Sequence, residues 1–315
     1  MKGLAQAIVP GMVLAVAFAL SACGGSGGDK SHAPATETPG QSQTAPLSAT
    51  PHRTSTPRPT RLPPAPGEDS QGDQLMYLAL GDSLSEGVSA SDEKRTAWVP
   101  LVAIGLGPAY ELRNLGIAGL DSRELIEDGP LDRAQQEVRS RAIDAVPGNE
   151  VAAITLEIGG NDLLDLYFDL VLTGLCPSVT EALDRPVCVN ELRNALNTFG
   201  PNLDEILSTL QDAAPGVPIF LMTLYNPFSG GSSILDETGV LALEGREGTP
   251  FPEGLNDVIR ARAASHPGVL LVEWYDLFLE KQGEYISQDL IHPNDEGYAV
   301  MADAVLAAMR QAGLP

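Results

Sequence analysis

The 315-residue chain is short of positive charge, of histidine and of cysteine, and each shortage narrows its chemistry. Nineteen Lys and Arg stand against 42 Asp and Glu, a formal net charge of −23. Residues 1–74 balance at five basic and five acidic groups, so the whole excess belongs to residues 75–315, with 14 basic and 37 acidic. A body that negative repels phosphate backbones, which excludes general nucleic-acid binding. It equally disfavours docking on anionic lipid through a basic patch. There are four histidines and no H-E-x-x-H, so a His-based metal site is not expected and no cofactor is called for. The cysteines number three: Cys23, Cys176 and Cys188. No internal repeat is apparent, and the length is ample for a sizeable core.

Aromatics are missing altogether from Gly24–Gln74, which holds nine Pro, thirteen Ser or Thr and only Leu47 and Leu62 as large aliphatics. Such a segment cannot bury enough apolar surface to offset its ordering entropy, and it reads as a disordered, Pro-extended tether. Within it, Gly24-Gly25-Ser26-Gly27-Gly28 matches the pattern G-x-S-x-G without the strand and helix that a nucleophile elbow requires. Before the tether, Leu4–Leu20 is apolar apart from Gln6 and follows Lys2. That run is too short and too thinly flanked for a membrane span and reads as the h-region of a signal peptide. It ends in Leu20-Ser21-Ala22-Cys23, which resembles the lipobox of bacterial lipoproteins. The resemblance implies cleavage after residue 22, lipidation of Cys23 and an envelope protein anchored at the membrane surface. An ordinary secretory signal or an uncleaved anchor would also export the chain. The expected organisation is a signal peptide over 1–22, a lipidated Cys and tether over 23–74, and one folded domain over 75–315.

From Leu75 the pattern alternates. Met76–Leu80, Glu111–Ile117, Val151–Ile158, Ile219–Leu224 and Val269–Glu273 read as strands. Trp98–Leu106, Leu163–Thr173, Asn190–Ala213 (kinked at Gly200-Pro201), Glu253–Ser265 and Glu296–Gln311 read as helices. Strands alternating with helices imply an α/β domain whose mainly five-stranded parallel sheet is covered on both faces. Ligands of such sheets bind beyond the carboxyl ends of the strands, so the residues there deserve the closest reading.

Gly81-Asp82-Ser83-Leu84-Ser85 follows the first strand, Gly159-Gly160-Asn161-Asp162 the third, and Asp289-Leu290-Ile291-His292 precedes the last helix. A serine nucleophile needs a base in hydrogen-bond reach, a carboxylate to orient the base, and donors for the oxyanion. His32 and His52 lie in the tether, and His266 sits at a helix end where it can satisfy terminal carbonyls. His292 is left as the base, three residues after Asp289. Ser83 is favoured as nucleophile because it directly follows the first strand, with Ser85 as its rival. Asp82 and Asp162 read as turn-stabilising groups, and Glu124, Glu127 and Asp128 as a solvated helix face.

Gly81-Asp82-Ser83-Leu84, Gly159-Gly160-Asn161-Asp162 and Asp289-x-x-His292 resemble the first, third and fifth blocks of the GDSL or SGNH hydrolases. Asn114-Leu115-Gly116-Ile117-Ala118-Gly119 resembles the second block. The resemblance implies a flavodoxin-like three-layer α/β/α sandwich and a serine esterase or lipase. Residue by residue it makes Ser83 the nucleophile, His292 the base and Asp289 its orienting acid. The oxyanion donors would be the Ser83 and Gly119 N–H groups and the Asn161 side chain, with Gly116 as the alternative to Gly119. The partners expected are an ester (a lipid, a small ester or an acetylated glycan) and the membrane through the anchor, the protein itself being a monomer. The same triad would serve a polysaccharide O-deacetylase, whereas a solute-binding lipoprotein would leave the three blocks as coincidence. Phe228–Phe251 and Gly174–Asn190 read as long connections that shape the acyl or alcohol site. Export into an oxidising compartment further predicts a disulfide between Cys176 and Cys188.

Overall fold

Leu78 and Leu80 face one side of the first strand, Tyr77 and Ala79 the other, and all four are fully buried. A strand that is apolar on both faces must be covered on both, and this one is. The computed structural model describes residues 74–144, 148–166, 173–176 and 178–315. The expected signal peptide, Cys23 and almost all of the tether lie outside the described residues, as do residues 167–172.

Strand β1 (Leu75–Gly81) leads through α1 (Ser83–Glu86) and α2 (Trp98–Leu106) to β2 (Tyr110–Asn114). Helices α3 (Ser122–Glu127) and α4 (Pro130–Asp144) then cross to β3 (Val151–Glu157). After β3 come α5 (Gly160–Leu166), α6 (Val179–Leu183) and α7 (Pro186–Ala213). Strand β4 (Ile219–Met222), α8 (Ser233–Glu244), α9 (Leu255–Ser265), β5 (Val269–Val272), α10 (Gln282–Tyr285) and α11 (Asp295–Gln311) complete the order. All neighbouring strands pair in parallel, in the order β2-β1-β3-β4-β5. On one face Leu125, Phe199, Leu203, Leu207 and Ile259 pack on Leu78, Leu80, Ile154 and Leu156. On the other, Trp98, Val102, Tyr298, Met301 and Val305 pack on Tyr77, Ala79, Phe220 and Met222. The result is a five-stranded parallel sheet between two helical layers, in the flavodoxin-like strand order.

Several boundaries differ from the expectation. Strand β2 stops at Asn114, whose side chain accepts from Gly116 N–H at 3.0 Å and donates to Ser85 C=O at 2.6 Å, turning the chain over the sheet edge. Helix α7 starts at Pro186, suited to a first turn, and runs through Gly200-Pro201 as one helix. Within Phe228–Phe251, read as a connection, α8 forms despite Gly239 in its middle. That glycine is required because a Cβ there would collide with Asn226 Oδ1. Residues Gly174–Asn190 likewise contain α6 and the first turn of α7.

The order of strands places the site. From β1 the chain goes to one side for β2 and then crosses to the other for β3, so the topology reverses between β1 and β3, where a crevice opens at their carboxyl ends. The loop carrying His292 reaches that crevice from α11. Asn294 caps this helix, accepting from Glu296 and Gly297 N–H at 3.0 Å, while its amide donates to Glu284 C=O at 2.8 Å. Asn294→Ala is expected to lower stability by about 1–2 kcal/mol in denaturant titration, and Asn294→Asp, which keeps the cap acceptor, by less.

Candidate active site

Gly81 ends β1 with φ 154°, and a Cβ there would run into the Glu157 carbonyl of the adjacent strand. Only glycine therefore lets the chain turn so closely over β3. Asp82 caps the next turn, its Oδ1 accepting from Leu84 N–H at 3.0 Å, and Ser83 emerges at the crevice. Ser85 points the other way. It is fully buried, with its hydroxyl donating to Leu80 C=O at 3.3 Å, which removes it as a rival nucleophile.

The loop before α11 folds around Asp289. One carboxylate oxygen accepts from the N–H groups of Ile291 and His292, both at 2.9 Å, and from Ser287 Oγ at 2.8 Å. The other accepts from Ser89 Oγ at 2.6 Å and lies 2.7 Å from His292 Nδ1. To make this loop Leu290 takes φ 66°, in the left-handed region that side chains other than glycine seldom enter. The Tyr225 hydroxyl donates to Ile291 C=O at 2.7 Å and braces the loop from the β4 side. His292 Nε2 is then 2.9 Å from Ser83 Oγ. Burial alone would raise the Asp289 carboxyl, but hydrogen bonds from His292 and Ser89 and the charge of His292 hold it well below the usual carboxylate range.

Asn161 lies in the first turn of α5, not in a loop after β3. Its amide nitrogen donates to Leu120 C=O at 2.9 Å and to Asp82 Oδ2 at 3.3 Å, which holds it beside the nucleophile turn. Gly119 has φ 83° and open space where a Cβ would project. Gly116 is different: its N–H is engaged by Asn114, and a Cβ would approach Glu86 N to 2.6 Å. Gly116 serves close backbone packing and has no N–H to spare. Asp162 ties α5 to α3 by accepting from Ser122 N–H at 2.9 Å and Ser122 Oγ at 2.5 Å. His266 is held by Gln211 and Asp204 side chains at 3.1 Å each, and not by terminal carbonyls as its position at the end of α9 suggested. Among the described residues no group of three or more His, Cys, Asp or Glu is placed to hold a metal ion.

Residues 79–300 match the model of the GDSL-like lipase/acylhydrolase family. The chain belongs to that family. It is similar to the uncharacterized protein YpmR of Bacillus subtilis, at 22% identity over 79% of this chain and 86% of that protein. Among solved structures, the lipase Lip_vut3 from a goat rumen metagenome is 20% identical, with 75% of this chain and 97% of that one covered and a TM-score of 0.51. Phospholipase A1 from Streptomyces albidoflavus NA297 is 19% identical over 75% of this chain and 99% of that one, with a TM-score of 0.49. The likeness to Lip_vut3 carries the fold. The family match makes the chain an ester hydrolase of the GDSL type.

In this GDSL hydrolase a cavity of about 1220 Å³, measured with its open mouth, reaches Ser83, Asn161 and His292. Leu163, Val179, Leu192, Leu235 and Leu241 give it mostly apolar walls. Both connections that the sequence marked as site-shaping contribute: Val179 and Ala182 from one side, Leu235 and Leu241 from the other. Cys176 and Cys188 also line it and are joined as a disulfide, Cα to Cα 6.0 Å, fastening the segment before α6 to the first turn of α7. The bond closes a 12-residue separation, worth about 3 kcal/mol by loop entropy. Alkylation of the unreduced, unfolded protein is expected to leave both cysteines unmodified, and the double Cys→Ser variant should unfold about 2–4 kcal/mol more easily.

Ser89, Ser287, Tyr225 and Glu157 belong to the site and escaped sequence reading. The first three are ordinary loop residues whose role exists only once the chain is folded. Glu157 did carry a signal, being the one charged residue in the apolar run Val151–Ile158.

Proposed function

We propose that the protein is an exported serine esterase that cleaves carboxylic esters through Ser83, His292 and Asp289. The observation that carries this reading is the unbroken hydrogen-bonded series from Ser83 Oγ to His292 Nε2 at 2.9 Å and from His292 Nδ1 to Asp289 at 2.7 Å. Asp289 fixes the imidazole with Nδ1 protonated and Nε2 free to accept. His292 takes the Ser83 proton as Oγ attacks the ester carbonyl. The tetrahedral oxyanion is met by the N–H groups of Ser83 and Gly119 and by the Asn161 amide, whose second proton turns from Asp82 toward the new charge. Collapse expels the alcohol, which takes its proton from His292, and leaves an acyl-Ser83 ester. Water deprotonated by His292 then releases the acid. The apolar cavity favours an ester with an apolar acyl or alcohol group over a polyhydroxylated glycan.

The lipobox-like Leu20–Cys23 supports anchoring at the outer face of the membrane, with the Pro-rich tether holding the domain above it. Cys23→Ala is expected to leave the protein unprocessed or release it from the membrane fraction, and retention as a mature membrane-bound form would contradict the anchor.

In steady-state assays with a soluble p-nitrophenyl ester, Ser83→Ala and His292→Ala should each cost about 10⁴-fold or more in kcat, because nucleophile and base act as one unit. Asn161→Ala should cost about 10²–10³-fold, as for one lost oxyanion donor. Asp289→Asn should lose more than about tenfold. A loss under about threefold, less than 1 kcal/mol in barrier, would reduce the triad to a Ser–His dyad.

A further inference from the structure

Behind Ser83, on its core side, lies a pair of acids that the acyl transfer just described does not use. Glu157 ends β3, in register with Gly81 on β1, and is fully buried, while Asp82 is 2% exposed. No Lys or Arg pairs with either among the described residues. The two carboxyl groups are each other's hydrogen-bond partners. Besides that contact the Glu157 carboxyl is reached by the Asp82 N–H and by Ser85 Oγ, 3.5 Å from Oε2, while Oε1 has no hydrogen-bond partner. An ionised carboxylate so placed would be buried with one oxygen unpaired and no cation nearby, next to a second carboxylate. A neutral carboxyl resolves both faults, since its O–H is a donor and the carboxylate of Asp82 an acceptor. Asp82 has work for its oxygens already: Oδ1 accepts from Leu84 N–H at 3.0 Å and Oδ2 from Asn161 Nδ2 at 3.3 Å.

We infer that Glu157 is a positioning residue that stays protonated and donates its O–H to Asp82, so that a carboxyl pair of single charge sets the Ser83 turn and the Asn161 amide. The role rests on the ester-hydrolysis reading above. Asp82 must be an acceptor to hold these groups, yet a full negative charge there would oppose the oxyanion forming beside Asn161. Sharing the Glu157 proton keeps the acceptor and draws off part of its charge. Burial pushes both carboxyls up from their ordinary range, and the contact with Asp82 pushes Glu157 further. The other titratable groups facing the pair are His292 and Asp289 from the loop before α11, Tyr225 after β4 and Tyr298 on α11. Burial keeps both tyrosines neutral, so neither supplies a compensating charge. Loss of the shared proton at alkaline pH would place a second negative charge beneath the nucleophile, and turnover should fall.

The test compares wild type, Glu157→Gln and Glu157→Ala as full mature chains. Infrared spectra at neutral pH should show a protonated-carboxyl C=O band in wild type that is absent from Glu157→Gln. With a short p-nitrophenyl ester, Glu157→Ala should lose about 10²-fold in kcat with KM little changed, the size of a misplaced oxyanion donor. Glutamine, which also donates to Asp82, should restore kcat to within about tenfold of wild type, or 1.4 kcal/mol. It should also abolish the alkaline fall in kcat while leaving the acid limb in place. Identical infrared spectra, identical alkaline limbs in wild type and Glu157→Gln, or an alanine variant as active as the glutamine one would each overturn the inference. A wild type that shows the band yet cleaves no ester would overturn the hydrolytic reading and the positioning role with it. An active wild type without the band difference would overturn the role of Glu157 alone.

Discussion

The contact between Ser83 Oγ and His292 Nε2 joins residues 209 apart in the sequence, and the rest of the structure is arranged to close it. Hydrogen-bond reach tolerates errors of only a few tenths of an ångström, so both ends must be fixed by something stiffer than a loop. Ser83 is fixed by β1, which lies in the middle of the sheet with β2 and β3 on either side. His292 is fixed by Asp289, whose carboxylate gathers two backbone N–H groups, two serine hydroxyls and the imidazole itself. The α11 cap at Asn294 and the Tyr225 hydroxyl anchor that loop to its surroundings. The strained Leu290 backbone is the conformational cost of bending three residues tightly enough for Asp289 to reach Nδ1.

The same constraint explains which parts of the molecule were legible in the sequence. Buried parallel strands are nearly continuous apolar runs, so β1, β3, β4 and β5 stood out within a residue or two of their ends. The proposed chemistry sits at their carboxyl ends, and Ser83, Asn161, Asp289 and His292 could be named as candidates because each is a distinctive residue type in a distinctive string. Helix α8 was hidden by Gly239, which is there to accommodate the Asn226 side chain and not to end a helix. Helix α3 showed in the sequence only as an acidic helix face, and α4, which completes the crossing from β2 to β3, had too weak an apolar periodicity to be marked out. That the Gly116 N–H is already engaged by Asn114 is a matter of three-dimensional contact that spacing cannot encode. Ser83 was favoured over Ser85 only by its place directly after β1, and the burial of the Ser85 side chain in the core is what the sequence could not show.

Charge follows a division of labour. The many acidic groups of the body are mostly solvated, and Arg260 gathers Glu244, Asp257 and Glu273 into one half-buried network. The few buried acids sit at the site, and each is handled differently. Asp289 is ionised and fully supplied with donors, which suits it to stabilise an imidazolium. Asp162 is half-buried and spent on tying α5 to α3. Asp82 and Glu157 lack cationic partners, and the inference drawn above has them share one proton. On the solvent side, the disulfide and the two helical connections wall the apolar cavity in front of Ser83, where an acyl or alcohol group would lie.

The measurement that bears most directly on the catalytic assignment is mass mapping after reaction with a fluorophosphonate, which esterifies a serine only where a base activates it. One adduct per chain, located on Ser83 and lost in His292→Ala while that variant remains folded, is the result expected. An adduct on another residue, or none on the folded wild-type protein, would contradict the assignment of Ser83 and His292 as nucleophile and base.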